Sequence, residues 1–264
     1  SEPVTVSGAV NLILTDGCVL NAEKGIVVTT GNSLAIYAQS ENGGTLNATG
    51  TTVVDWENYI YYAAAGIGGS TTSFDSGSIT IHGGIINATG GVANDNLGKP
   101  NLGGAGIGGG STNYGKGGDS GAVTIYGGTI TADSGEGNTT GAGIGGSGGG
   151  ENGGSANSIT IYGGSITATS HSDITGGAGI GGGSGQTNGG TGNITIHGGT
   201  VRATGSERGA GIGGGGAGIG ANYASGSGTV NISGGTVTAV GGIYAAGIGG
   251  GGGYSVEFMG NTTT

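Results

Sequence analysis

Ile159-Thr160-Ile161-Tyr162-Gly163-Gly164-Ser165-Ile166-Thr167-Ala168, followed eight residues later by Gly177-Ala178-Gly179-Ile180-Gly181-Gly182, decides the fold. It contains three short stretches in which apolar and small polar residues alternate. Period 2 is the signature of a β-strand. Glycines separate the stretches, and helices tolerate glycine poorly, at about 1 kcal/mol per residue against alanine. The same pattern precedes it at Val123–Gly146 and follows it at Ile194–Gly214. The second isoleucines of the first stretch, Ile125, Ile161, Ile196 and Ile232, are 35 or 36 residues apart, and Ile81 lies 44 before Ile125. Such self-similarity is the mark of a repeat architecture.

A unit of three short strands cannot bury its apolar side alone. It can do so if each strand pairs with its equivalent in the next unit, about 4.8 Å away. The sequence therefore predicts an all-β, single-domain parallel β-helix of about seven coils, three strands each, spanning 1–264. Within it, 1–33 reads as a degenerate N-terminal capping coil, 34–250 as the repeat coils, and 251–264 as a C-terminal edge strand and tail. The predicted columns are Ile81, Ile125, Ile161, Ile196 and Ile232, then Ile86, Ile130, Ile166, Val201 and Val237. The third is Ile67, Ile107, Ile144, Ile180, Ile212 and Ile248, with a duplicate at Ile219. Paired glycines such as Gly163-Gly164 fall where the chain must turn a corner, a place for φ > 0. In Ala-Gly-Ile-Gly-Gly the glycines should point outward. They would leave one face bare, to be crossed by the Gly-rich loops or to lie flat on another surface.

Composition narrows the class. Glycine contributes 75 of 264 residues and proline 2, which excludes collagen. Charged residues are 8% and the net charge is −10, so the chain lacks the clustered cations that nucleic acid or an anionic membrane surface requires. No apolar run approaches the length of a membrane span, so membrane insertion is not expected. The single Cys18 forms no internal disulfide and reads as a buried small hydrophobe. The start at Ser1 shows no leader pattern. With the tail Asn261–Thr264, it reads as a trimmed piece of a longer multidomain chain. The lysine-poor, Thr/Asn/Gly-rich surface suggests an extracellular or cell-surface setting.

Catalytic groups are sparse. Cys18 has no histidine near it in sequence, and His82 and His197 fall three coils apart, too far for one metal. No catalytic residue is assigned. Asp75 and Asp119 each lie four residues before a first strand and should stack on adjacent coils. They are the weak candidates for calcium, the one cofactor considered possible, because turn carboxylates suit a hard cation. Binding features are stronger. Tyr37, His82, Tyr126, Tyr162, His197 and Ser233 share one outward position, so their rings should form a ladder of the kind that holds sugars. The same ladder would also stabilise neighbouring strands. A second candidate platform is the loop Trp56-Glu57-Asn58-Tyr59-Ile60-Tyr61-Tyr62, where Trp56, Tyr59, Tyr61 and Tyr62 stand beside Asp55, Glu57 and Asn58.

The repeated I-T-I-x-G-G-T-I-T-A…G-A-G-I-G-G resembles the right-handed parallel β-helix domains of secreted clostridial-type surface proteins, over about residues 12–258. These are related in fold to pectate lyases, and some are described as binding cellulose or pectin. The resemblance implies a right-handed wind and a glycan partner. Lyase chemistry would need an acidic calcium cluster and a basic proton acceptor. The only outward basic residue on a repeat strand is Arg202. The expected function is thus non-catalytic binding of a polysaccharide, with a plant cell-wall or pectin-type glycan favoured. A structural stalk or adhesin segment is the alternative, and a polysaccharide lyase the third.

Overall fold

The computed structural model describes residues 2–40, 43–95, 98, 100–218 and 228–253. It contains no helix among them and is organised by three parallel sheets. The first sheet stacks Ala9–Leu14, Ser33–Ala38, Ser78–Ile81, Ser120–Ile125, Ala156–Ile161, Gly192–Ile196 and Gly228–Ile232. The second stacks Val19–Ala22, Thr45–Thr49, Ile85–Thr89, Thr129–Asp133, Ser165–Thr169, Thr200–Thr204 and Thr236–Val240. The third holds eight two-residue strands, from Val4–Thr5 and Ile26–Val27 through Ile67–Gly68 to Ile248–Gly249. Each coil visits the sheets in that order, so the described residues form a parallel β-helix of seven coils. The arrangement is consistent with a right-handed wind. The first coil is as complete as the others, with all three strands present between Ala9 and Val27.

Register turns sequence repeats into columns. Ile81 pairs with Ile125, Ile125 with Ile161, and Ile161 with Ile196. Ile107, Ile144, Ile180 and Ile212 stack on the third sheet. All eight of these side chains are fully buried in one continuous core. Burying an aliphatic side chain of this size is worth roughly 1.5–3 kcal/mol, so the columns are the principal source of stability. Cys18 is half-buried against this core rather than enclosed. The duplicate Ile219 and most of the predicted C-terminal edge strand and tail lie outside the described residues.

The corner glycines behave as expected. Gly84, Gly128, Gly164, Gly199 and Gly235, the second of each pair, have φ between +89° and +97°. The expectation of a bare face is resolved in favour of covering loops. Gly68, Gly108, Gly145, Gly181 and Gly213 have φ between +136° and +142° and are buried. A Cβ on Gly108 would lie 1.9 Å from the carbonyl oxygen of Gly145. The loops that follow lie over this face and hydrogen-bond both within a loop and from coil to coil. Gly118 N donates to Gly110 O, Ser147 N to Gly118 O, Gly154 N to Ser147 O and Gly183 N to Gly154 O, all at 2.7–2.9 Å. Backbone packs directly on backbone there, which explains why so much of the chain is glycine.

Two small sheets are added on the flank. Thr52–Asp55 and Ile60–Ala63 form an antiparallel hairpin, and Ser111–Thr112 pairs with its second strand. Val92–Asn94, Pro100–Gly103 and Thr139–Thr140 form the other. Tyr61, Ala63, Ala93 and Leu102 make a satellite core beneath them.

Candidate functional site

One outward position at the end of the first-sheet strands carries a ring in five successive coils. Tyr37 and His82 stack with centroids 4.3 Å apart and planes 6° apart. His82–Tyr126, Tyr126–Tyr162 and Tyr162–His197 follow at 4.8, 5.0 and 4.9 Å, none tilted by more than 13°. Ser233 ends the ladder, its Oγ 3.0 Å from His197 Nδ1. Ile13, paired in register with Tyr37, begins it. Parallel pairing sets the spacing, because the strand separation of about 4.8 Å is close to the centroid distance of offset-stacked rings. The rings are about half exposed, at 37%, 49% and 48% for Tyr37, Tyr126 and Tyr162. Their faces are occupied by one another, so solvent meets their edges: phenol hydroxyls and imidazole nitrogens repeating once per coil.

Beside the ladder the glycine corners leave a groove of about 600 Å³. Tyr37 and His82 form part of one wall, Gly83, Gly127, Gly128 and Gly164 the floor, and Thr129 and Ser165 the opposite side. Gln39 and Ser40 close one end. The floor is low because a corner glycine has no side chain to fill it. Sequence reasoning found the ladder from its spacing but missed the groove, whose signal was the Gly-Gly pair immediately after His82, Tyr126, Tyr162 and His197.

The Trp56 loop is the turn of the flanking hairpin. Asp55 Oδ1 accepts from the backbone N–H groups of Glu57 and Asn58, and Asn58 Nδ2 donates to Asp55 Oδ2 at 2.8 Å. The Asn58 side-chain amide, then its backbone N–H, hold the Asp55 carboxyl below its ordinary pKa. These polar groups therefore serve the turn. Tyr59 has φ +55°, and Asn113 clamps the turn by donating to Tyr59 O and accepting from Tyr61 N. Trp56 and Tyr59 are exposed, at 51% and 59%. Tyr61 is not a surface group as the sequence suggested. It is 5% exposed, packed in the satellite core with Trp56 edge-on to it at 6.1 Å. Tyr62 is half-buried against Phe74. Alternation along the strand turns Tyr61 inward, so the loop offers two aromatic side chains rather than four.

Asp75 and Asp119 do stack on adjacent coils, as the turns of a ladder. Asp75 Oδ1 accepts from Asp119 N at 2.8 Å, and Asp119 Oδ1 from Ser155 N at 2.7 Å. Ser155 Oγ continues it by accepting from Thr191 N. Lys116 Nζ caps Asp119 at 2.6–2.7 Å. Each side chain thus serves the backbone of the next coil. Among the described residues no three His, Cys, Asp or Glu side chains are grouped to hold a metal ion. Amide ladders of the same kind link Asn21, Asn47 and Asn87 on the second sheet.

A family model described as a β-helix repeat matches residues 42–71, 123–150, 159–184, 194–216 and 230–252. These five segments are similar to β-helix repeats, in keeping with the parallel stacking of their strands. The last four matched segments take in the Gly-Gly corners of the ladder side together with the third-sheet glycines, while Tyr37, Gln39, Ser40, His82 and Gly83 of the groove lie outside the match. It names no ligand. No curated protein and no solved structure matches the chain. No helix among the described residues is long and apolar enough to cross a membrane.

Proposed function

We propose that this chain is a non-catalytic polysaccharide-binding module of an extracellular or cell-surface protein, and that the glycan lies along the ladder groove, parallel to the solenoid axis. The observation that carries the reading is the five-ring ladder, one ring per coil, with a polar groove beside it that Tyr37 and His82 line. A polysaccharide is itself a one-dimensional repeat of hydroxylated rings. A rigid row of evenly spaced donors and acceptors meets it with little ordering cost on the protein side. Because the ring faces are spent on stacking, recognition is edge-on, by hydrogen bonds from Tyr37, Tyr126 and Tyr162 hydroxyls and from His82 and His197.

Edge-on recognition has a sharp test. Tyr126→Phe/Tyr162→Phe keeps both rings in the stack and removes two hydroxyls. A net hydrogen bond is worth about 1 kcal/mol, so the double variant should bind roughly tenfold or more weakly with unchanged melting. Affinity gels on pectic, cellulosic and mucin-type glycans select the ligand, and calorimetry measures the change. If the Phe variant binds like the parent while Trp56→Ala/Tyr59→Ala loses binding, the site is the hairpin turn. The structural-stalk reading rests on one observation of its own: rings, asparagines and aspartates all bond to their equivalents in the next coil. Failure of every glycan in the gels would favour it.

A further inference from the structure

We propose that the ladder groove selects uncharged glycans and rejects polyuronates; this deepens the polysaccharide reading and rests on it. No Lys, Arg, Asp or Glu lines the groove, which is built from Tyr37, Gln39, Ser40, His82, Thr129, Ser165 and backbone at glycine. None of the described cations lines it. Lys116 is committed to Asp119, and Arg208 is 5% exposed, with its guanidinium 5.5 Å from the Tyr244 ring centroid. Lys24 and Arg202 are absent from the lining.

Among the described residues, the formal charge bonded to a lining side chain is negative. Ser40 Oγ donates to Asp16 Oδ1 at 2.7 Å, and Asp16 N donates to Gln39 Oε1 at 3.2 Å. The closed end of the groove is therefore held by a carboxylate. A polyuronate carries a carboxylate on every sugar, about one per coil of this solenoid. Laid in the groove it would meet no cation, a like charge at one end, and the field of a chain with net charge −10. Like-charge juxtaposition at an interface is strongly unfavourable, and specificity often comes from such repulsion. A neutral sugar chain meets none of these costs, and the hydroxyl, imidazole and amide groups of the lining can hydrogen-bond to its hydroxyls.

The test uses two forms of one backbone, fully methyl-esterified polygalacturonate and its de-esterified form, beside a neutral β-linked glucan and a neutral mannan. Binding is measured by calorimetry at about 10 mM and about 0.3 M salt, where the screening length falls from roughly 30 Å to under 10 Å. At low salt at least one uncharged chain should bind ten times more tightly than polygalacturonate, with the gap closing as salt rises. Ser165→Lys, an exposed groove position, should raise polygalacturonate affinity several-fold and make it fall with salt. Polygalacturonate binding as tightly as every neutral chain would overturn the selectivity while leaving the glycan reading intact. Binding of none of the four would overturn the glycan reading itself.

Discussion

At the scale of the residue, the decisive character is glycine, for two separable reasons. One is conformational: a left-handed φ strains any side chain by about 1–2 kcal/mol. The other is spatial: in the third sheet there is no room for a Cβ. Gly115 isolates the first reason, with φ +61° and nothing within 4 Å of a built Cβ. Gly145 combines both, with φ +142° and a Cβ that would lie 1.9 Å from the carbonyl oxygen of Gly181. Gly115→Ala should therefore cost about 1 kcal/mol. Gly145→Ala should cost on the order of 4 kcal/mol or more, since backbone, not a flexible side chain, would have to move. Denaturant melts of the two variants measure the difference. Equal costs would mean the third sheet is looser than its register requires.

At the scale of the element, a tie between a strand and a loop gives a pH signature. His171, in the loop after Ser165–Thr169, has Nε2 3.5 Å from Oδ1 of Asp133, at the end of Thr129–Asp133. The Asp133 hydrogen bond raises the His171 pKa, partial burial opposes it, and the charges of Asp133 and Glu136 add to the rise. A raised pKa means the folded state holds the proton more tightly. Its contribution is full below the unfolded value near 6.5 and is lost as pH climbs through the folded value. The pair is substantially exposed, so screening limits it to about 0.5 kcal/mol. His171→Gln should lower stability by about that much at pH 5.5 and by little at pH 8, read from urea midpoints. A loss that grows with pH would reverse the assignment. This contact joins coils through loops of irregular length, and nothing in the sequence marked it. The strands themselves were legible because Ile125, Ile161 and Ile196 recur with the coil, and so were the ladder and the aspartate stack. The covering of the glycine face was open in the sequence, because backbone-to-backbone packing leaves no side-chain pattern. Tyr61 was misread because a single aromatic run does not show which of its rings a hairpin turns inward.

At the scale of the whole molecule, a solenoid supports each coil only through its neighbours. The interior coils have a partner on both sides, and Ile81, Ile125, Ile161 and Ile196 are fully buried there. In the last described coil the same columns end at Ile232, 39% exposed, and Ile248, 49% exposed. Val230 and Val237 are only partly buried. Lost apolar burial is lost stability at roughly 25 cal/mol per Å². Free energies of local opening should therefore rise from the coil at Gly228–Gly249 toward the middle of the stack. Native-state hydrogen exchange tests this directly: amides of Thr236–Val240 should exchange first, and those of Thr129–Asp133 and Ser165–Thr169 last. The ladder adds a second gradient, since Tyr126 is sandwiched between His82 and Tyr162 while His197 has a ring on one side only. Tyr126→Ala should lower protection in the coils on either side of it and leave the first coil unchanged. Uniform loss across all seven coils would instead make the stack one cooperative unit, with the ladder acting as a rod through it rather than as pairwise contacts between neighbours.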